Sequence, residues 1–592
     1  MLQSKLHRLV RQIVLWLRHR LSARQFFIFS SIVVGLSAGL IAVGLKYLVH
    51  QVSAFALTLS ESHGLIWAVA LLPLVGILLS TVYVLKILKG EFLKGTSEIQ
   101  YSISKNSSLL PPSQMYSHVI TGALTVGLGG STGLESPLVS TGSAIGANYA
   151  RAYTLGYKER TVLLACGAAA GIAAAFNAPI AGVLFAIEVV LTDISLTAFI
   201  PLIIAAASGA LVSKMILKEG LIMSFTLRQP FDYHNVPFYV LLGLLAGGLS
   251  LYYAKTFTAT SRWIQKIKNP WVRATTGGVL LAGLLTVFPP LFGEGYHTVS
   301  ILANLKPEVL SHQSILGNWV QGPWPLLLFL VLVLAVKSVA AGLTLGSGGN
   351  GGNFGPSLFI GAYLGFSFAR LINLTGLAQI PETNFALVGM AGILSGIFYA
   401  PLSAIFLIAE ITGGYELMIP LMIVSALSLA VAKYFEPLSM EGKKLADKLK
   451  HSIENRDQFL LSRLELHKLI EKDFIALHTD DKLQALVNAI SKSHRNTFPV
   501  LDAGHRLTGL IYLDHVRATI FQTELYNSVL IKDLMVTPSS VIAPNESVHE
   551  VLKKFDEAHQ WNLPVIEENK YVGFVSKSSI LSKYREELMQ SL

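Results

Sequence analysis

The sequence predicts an all-α polytopic membrane protein made of two repeats of broken helices, with a soluble α/β domain behind it. Three observations carry this. Charge is distributed unevenly: 82 of the 592 residues are Asp, Glu, Lys or Arg, and 41 of these fall in the 152 residues after Met440. Up to Met440 the chain is about 9% charged and beyond it about 27%, where a soluble protein carries roughly 25%. Next, apolar runs long enough to span a bilayer recur near 27–49, 65–87, 236–254, 276–292 and 324–341, and again within 385–435. Finally, the body repeats itself. NAPIAGVLFAIE ends at Glu188 and YAPLSAIFLIAE at Glu410, 222 residues apart, and Ala178-Pro179 and Ala400-Pro401 keep that offset.

Taken in order, the opening stretch carries Lys5, Arg8, Arg11, Arg18, Arg20 and Arg24 in a helix-compatible pattern directly before the first apolar run. Positive residues flanking a first span favour the cytoplasmic side. A secretory signal is the rival reading, but a small-residue cleavage site is lacking and spans continue afterwards. The net charge of +10 is therefore assigned to membrane topology and not to nucleic acid. Cys166, the single cysteine, excludes a disulfide framework and is expected as a small buried core residue.

Two apolar stretches are too broken to be simple spans: TGALTVGLGGSTGLESPLVSTGSAIGANYA and LTLGSGGNGGNFGPSLFIGAYLG. Their Gly-rich clusters end in Pro137 and Pro356, 219 residues apart, close to the offset of the other repeat. Broken backbone is tolerated in lipid only where protein buries it or where it lines a polar cavity. Two halves on one plan, each with such a break, imply a pseudo-two-fold arrangement with a site at the interface. The pattern alone leaves open whether the repeat is inverted or parallel.

A helix N-terminus presents unpaired N–H groups and roughly half a positive charge, and glycine lets an ion approach that backbone closely. Several such termini would stabilise a desolvated anion without a cationic side chain that binds it too tightly to release. The plainer alternative is that the glycines serve close helix packing. Glu135 stands within the first cluster, where an intramembrane carboxylate costs roughly 2.5–3.5 kcal/mol on insertion scales and is a functional hypothesis by default. Tethered at an anion-attracting helix end, it would compete with a permeating anion and act as a gate. The alternative is a glutamate snorkelling to the surface.

GLESP at 133–137, GLTLGSGGNGG with GNFGP at 352–356, and APLSAIFLIAEITGG at 400–414 resemble the CLC chloride channels and proton–chloride exchangers over roughly residues 25–445. The resemblance implies a homodimer with one anion pathway per subunit, two inverted halves, and seventeen or eighteen membrane helices. It makes Glu135 the external gating glutamate and places a bound chloride against Gly133, Leu134, Asn353, Phe354 and Gly355. Three departures stand out. LKGTSE replaces the usual GSGIPE, which puts Lys94, followed by Gly95, where an anion-coordinating Ser is expected. The Tyr usual after the last membrane helix is missing, and Met440 or Glu441 falls nearest, so Lys94 and Glu441 are expected to pair as a charged substitute. A lysine snorkelling at a helix end is the alternative for Lys94. Beside Glu188, Val189 occupies the position of a second acid that relays protons in exchangers. Valine carries no proton, which favours a channel-like or weakly coupled pathway over exchange, although water can still conduct one.

After a charged linker at 441–470, two similar units span 474–516 and 539–580, within a tail of 471–592 that divides at about 471–522 and 534–589. Each has a Pro-Val strand (Pro499-Val500, Pro564-Val565) and a closing strand led by Gly509 or Gly573. They resemble a tandem CBS pair. Such pairs often hold adenine nucleotides through a Thr or Ser and a following Asp. Tyr512 and His515 occupy those places in the first unit and Ser576 and Ser579 in the second, so only Ser576 fits. A dimerisation and gating platform without a nucleotide is the alternative.

The domain plan is thus a basic helix at 1–25, a membrane body at 26–440 (repeats at about 26–215 and 236–440), the linker and the CBS pair. The body supplies neither a nucleophile–base pair nor a metal-ligand spacing, so no enzyme and no required cofactor are expected. His118 and His297 read as ordinary surface or interface residues. Chloride is the expected anion, with fluoride, nitrate or bicarbonate as variants that Lys94 would suit. A membrane sensor that passes no ion is a further alternative, but has little need of two matched clusters. A cytoplasmic tail without an organellar signal fits a bacterial inner membrane, with both termini cytoplasmic.

Overall fold

A computed structural model describes residues 20–63, 66–191, 196–217, 230–312, 314–450, 464 and 466–590. Most of the predicted basic helix and the linker stretch 451–463 lie outside these described residues. Two compact units emerge, 1–446 and 447–592.

The first unit is helical throughout its described residues, and its two halves match helix for helix. The first half runs Ala23–His63, Ile66–Val82 (continued by a π-turn, Tyr83–Ile87), Thr96–Lys105, Gln114–Gly127, Glu135–Ala152, Tyr157–Phe176, Pro179–Phe185 (continued by a π-turn, Ala186–Val190) and Leu196–Leu217. The second runs Val236–Gln265, Pro270–Val287, Tyr296–Ala303, Pro323–Gly346, Phe354–Thr375, Glu382–Phe398, Pro401–Thr412 and Met418–Phe435, with a short Val309–His312 turn inserted. With the helical residues 440–450, this gives seventeen membrane-body helices among the described residues. Eight described helices are long and apolar enough to cross a bilayer, while Pro179–Val190, Glu382–Phe398 and Pro401–Thr412 are shorter apolar pieces. The run predicted at 276–292 is not one span. Pro289 and Pro290 cannot continue the hydrogen-bond ladder, so the helix ends at Val287 and a 3-10 turn follows.

The halves are inverted, and one pair of contacts establishes it. Glu410, at the end of its apolar helix, accepts hydrogen bonds from the Ile180 and Ala181 N–H groups at 3.0 and 2.8 Å. Glu188, at the end of the matching helix, accepts from Leu402 N–H at 3.1 Å, Ser403 N–H at 2.8 Å and the Ser403 hydroxyl at 2.6 Å. Each helix thus ends where the other begins, so the two run antiparallel. In each, a proline at the first helical position needs no N–H partner, and the carboxylate satisfies the next two orphan donors. The repeated Ala-Pro…Glu pattern is this reciprocal cap.

Close packing holds each half together. Where Glu135–Ala152 crosses Tyr157–Phe176, a Cβ on Gly142 would lie 2.1 Å from the Gly167 carbonyl oxygen, and one on Gly167 would lie 1.8 Å from that of Gly142. Gly361 and Gly389 repeat this crossing in the second half. Glycines beyond the two clusters therefore serve helix packing. Cys166 is fully buried in the same core. Leu40, Leu48, Leu79, Leu211, Val279 and Leu328 are exposed apolar side chains on the outer helices, the surface that a lipid-embedded body presents.

The second unit holds two small α/β cores. In one, β1 (Leu477–His478) runs parallel to β2 (Thr497–Leu501), which pairs antiparallel with β3 (Leu507–Tyr512). In the other, β4 (Asn562–Glu567) pairs with β5 (Lys570–Ser576), and Ile542 bridges Val565 in parallel. Val500 faces Gly509 and Val565 faces Gly573, with a register shift after each valine. The same bulge at the same place shows the two cores to be copies. The closing strands begin two to three residues before the predicted glycines. Leu464, Leu466 and Leu469, assigned to the linker from sequence, belong to the core of the second copy.

Candidate functional site

The two glycine clusters meet directly. Gly133 N–H donates to Gly352 O at 3.0 Å and Gly352 N–H to Gly133 O at 2.9 Å, an antiparallel bridge between the halves. The Thr132 hydroxyl adds a bond to Gly352 O at 2.9 Å. Immediately after the bridge each chain starts a helix, at Glu135 and at Phe354, capped by Leu134 and Asn353. Neither cap side chain satisfies its own helix end. Two helix N-termini therefore open onto one buried point.

Glu135, 2% exposed, fills that point. Its Oε2 accepts from Gly355 N–H at 3.3 Å, across the repeat boundary, and Oε1 accepts from the Tyr296 hydroxyl. A Cβ on Gly133 would sit 2.1 Å from Glu135 Oε2 and 2.9 Å from Gly355 N, so a side chain there would evict the carboxylate. Glycine is required by space at this position. Tyr296 opens a third helix whose start faces the same point. Its neighbour Glu294 accepts from Leu134 N–H at 3.1 Å. Phe354 packs against Phe176, Phe185 and Phe398, with ring centroids 5.4–5.9 Å apart, and forms an apolar wall. The Tyr253 hydroxyl donates to Asn353 Oδ1 at 2.8 Å, which turns that side chain away from its own helix end.

Lys94 does not do what its position suggested. Its ammonium donates to the carbonyl oxygens of Gly348 and Gly349 at 2.9 and 3.0 Å, tying down the second glycine cluster. It forms no pair with Glu441, which instead bonds Lys444 at 2.8 Å. Lys444 lies one helical turn from Glu441 and takes its carboxylate, while the long Lys94 side chain reaches the carbonyls of the Gly-rich loop. Gly95 adopts φ +92°, and Glu441 Oε2 would lie 3.7 Å from a Cβ there, so Glu441 faces the start of the Thr96–Lys105 helix. Met440 is buried beside it. Val189 is buried, and its carbonyl, freed by the π-turn, accepts from Gln100 Nε2 at 2.6 Å.

The sequence reading missed several buried groups. Lys337 is fully buried, donates to Ser131 Oγ at 2.9 Å and lies 4.6 Å from the Phe359 ring centroid. Lys46 donates to Ala174 O at 2.9 Å. His118 is buried, not at a surface: it bonds Gln114 at 2.7 Å and Asn350 at 3.3 Å. His118 and Lys337 are 219 residues apart, as are their partners Ser131 and Asn350, so each half presses a basic side chain of one helix onto the other half's glycine loop. Lys94-Gly95 and Glu294-Gly295 are likewise counterparts, both glycines at positive φ before a helix. A lone lysine inside an apolar helix is the signal that would have found Lys46 and Lys337.

A model of the family described as "Voltage gated chloride channel" matches residues 77–433, more than half of the chain. The chain belongs to the voltage gated chloride channel family. A CBS domain model matches residues 531–586. Among relatives, the chloride channel protein CLC-f of Arabidopsis thaliana is 26% identical over 82% of this chain and 68% of its own length. The voltage-gated ClC-type chloride channel ClcB of Escherichia coli O81 (strain ED1a) is 30% identical over 52% of this chain and 70% of its own. A slow cyanobacterial Cl-/H+ antiporter shares the fold with a TM-score of 0.63 at 24% identity, over 73% of this chain and 99% of that one. A eukaryotic CLC transporter does so with a TM-score of 0.57 at 20% identity, over 93% and 97%. The voltage gated chloride channel fold thus accounts for the first unit, with its two inverted repeats and its broken helices.

In the tail, the Ser576 hydroxyl is committed internally: it donates to Glu471 Oε1 at 2.6 Å and accepts from Ser579 N–H at 3.0 Å. Arg495 bonds Asp473 at 2.7 Å, pairs with Glu471 at 2.7 Å and stacks on Phe474 at 4.7 Å. The Arg495 hydrogen bonds hold the Asp473 carboxyl below the usual carboxylate range.

Proposed function

We propose that the chain lets chloride and related small anions cross a bilayer through a pathway at the junction of its two repeats, gated by Glu135. The observation that carries this is the seat of the Glu135 carboxylate, on the Gly355 amide between facing helix starts. A carboxylate held there stands in for an anion, so a chloride arriving at the same amides competes with it. Protonation weakens its hold on those donors and frees the place. Gly133, Leu134, Asn353, Phe354 and Gly355 supply the backbone that would receive the anion. Lys94 acts here as a strut for the loop, which removes the reason to favour fluoride, nitrate or bicarbonate over chloride.

Conduction is channel-like or weakly coupled, because the side chain at Val189 carries no proton. Proton-coupled exchange is the second reading, favoured by the π-turn carbonyl of buried Val189 and the Gln100 amide on it, which give water polar partners at that position. The protein works as a homodimer in a bacterial inner membrane with both termini cytoplasmic, and the CBS pair serves as a regulatory platform. Adenine nucleotide at Ser576 is disfavoured by the bond of that hydroxyl to Glu471.

Chloride efflux from proteoliposomes, with external pH recorded alongside, tests this. Efflux under a clamped potential without uphill proton movement is expected, and Glu135→Ala should abolish its pH dependence. Protons driven uphill by chloride would establish exchange instead. Absence of chloride efflux from the wild-type protein would refute the anion pathway.

A further inference from the structure

Glu294 has no part in the gating just described, yet its carboxylate lies against the same machinery. It is partly exposed, whereas Glu135 is sealed. Its Oε1 holds the Leu134 N–H at 3.1 Å, while Glu135 Oε2 holds the Gly355 N–H at 3.3 Å. Leu134 and Gly355 flank the start of opposite helices, so each anion-attracting end already carries a carboxylate. Glu294 is one residue from Gly295, whose φ of +87° turns the chain so that Tyr296 reaches Glu135 from the same short segment.

Two basic side chains also lie beside this pair. Lys46, on the first helix, is within electrostatic reach of both Glu135 and Glu294. Lys337, on Pro323–Gly346, is within reach of Glu294 and donates to the Gly293 carbonyl at 3.3 Å. Tyr296 contributes a neutral hydroxyl. Two buried lysine amines thus face two carboxyl groups. An anion entering this cluster adds an uncompensated negative charge in a low-dielectric setting unless a carboxylate leaves or is neutralised.

We propose that Glu294 is a second acidic gate residue, holding the Leu134 amide as Glu135 holds the Gly355 amide, so that an entering anion displaces both carboxylates. This rests on the anion-pathway reading and adds a residue to it. Its partial exposure makes it the outer of the two, the first that an anion meets.

Chloride binding by calorimetry on the purified full-length protein, for wild type, Glu135→Ala, Glu294→Ala and Glu294→Gln, tests the proposal. Both Glu294 variants should bind chloride about tenfold more tightly than wild type, since both remove the charge while Gln keeps an acceptor for Leu134 N–H. The Glu135→Ala/Glu294→Ala double variant should bind more tightly than either single one. Unchanged affinity in both Glu294 variants, with chloride bound by Glu135→Ala, overturns the proposal and leaves the pathway standing. Weaker binding in Glu294→Ala with wild-type binding in Glu294→Gln overturns it too, because Glu294 would then only prop the loop. No chloride heat in any of the five proteins overturns the pathway and this gate together.

Discussion

Replacing either of the reciprocal capping glutamates should weaken the membrane unit by an amount that the hydrogen bonds set, and by different amounts for the two. Glu410→Gln removes the charge from two bonds to Ile180 and Ala181 and turns an amide NH2 towards one of those donors. Charge-assisted bonds contribute about 1.5–3 kcal/mol each, and partial exposure at the helix ends discounts them, so a loss of about 2–3 kcal/mol is expected. Glu188→Gln also disturbs the bond from the Ser403 hydroxyl and should lose about 1 kcal/mol more. The caps sit seven to eight residues apart along the antiparallel pair, roughly 12 Å at 1.5 Å per residue, so the double variant should be additive within about 0.5 kcal/mol. Unfolding of the detergent-solubilised protein in an SDS titration, followed by tryptophan fluorescence, measures all three. Chloride efflux per folded molecule and its proton ratio should stay at wild-type values, because both carboxylates are tied to helix starts and neither touches the Glu135 site. A Glu188→Gln variant that is milder than Glu410→Gln, or strong coupling in the double variant, would refute the inverted, reciprocally capped arrangement.

Lys94→Ala should leave the anion selectivity order unchanged while destabilising the membrane unit by about 1–3 kcal/mol, because it orphans the Gly348 and Gly349 carbonyls; reversal potentials in mixed anions, read beside SDS unfolding, check this. In the tail, Arg495→Ala should cost about 1–2 kcal/mol, since it breaks a half-buried network with Asp473 and Glu471 and uncovers Phe474. The Asp473 carboxyl is held low in the folded protein, so its stabilisation is present above its unfolded pKa of about 3.9 and is lost as pH falls through the folded value. The gap between Arg495→Ala and wild type should therefore narrow below about pH 4 in melts of the full-length protein.

The repeat was legible in the sequence because each copied residue does a copied task. Ala-Pro at a helix start and Glu at a helix end are the two parts of one reciprocal cap, so neither half can change alone. The Gly-rich clusters were legible for the same reason: the Gly133–Gly352 bridge leaves no room for side chains. The residues that decorate the site were not. Glu294 and Tyr296 lie in one short turn and helix start, far in the chain from Tyr253 and Lys337, and Lys337 is a lone charge in an apolar run. Aligning Lys94-Gly95 with Glu294-Gly295 would have exposed Glu294, but the pairing becomes visible only once both helix starts are located. Lys94 misled because a lysine stem is long enough to bypass the position of its own Cα.

The bridged glycine loops are related by a two-fold axis, and a pathway with that symmetry alone would have no preferred direction. Direction has to be written in the side chains, and the counterparts are unequal. Lys94 on one side stands where Glu294 does on the other, and neutral-capable His118 stands where Lys337 does. The two ends of a shared scaffold therefore carry different polar side chains: Lys94 and His118 at one, Glu294 and Lys337 at the other. Any preference for anion flow one way over the other would have to be written in these two unmatched pairs and not in the backbone that surrounds them.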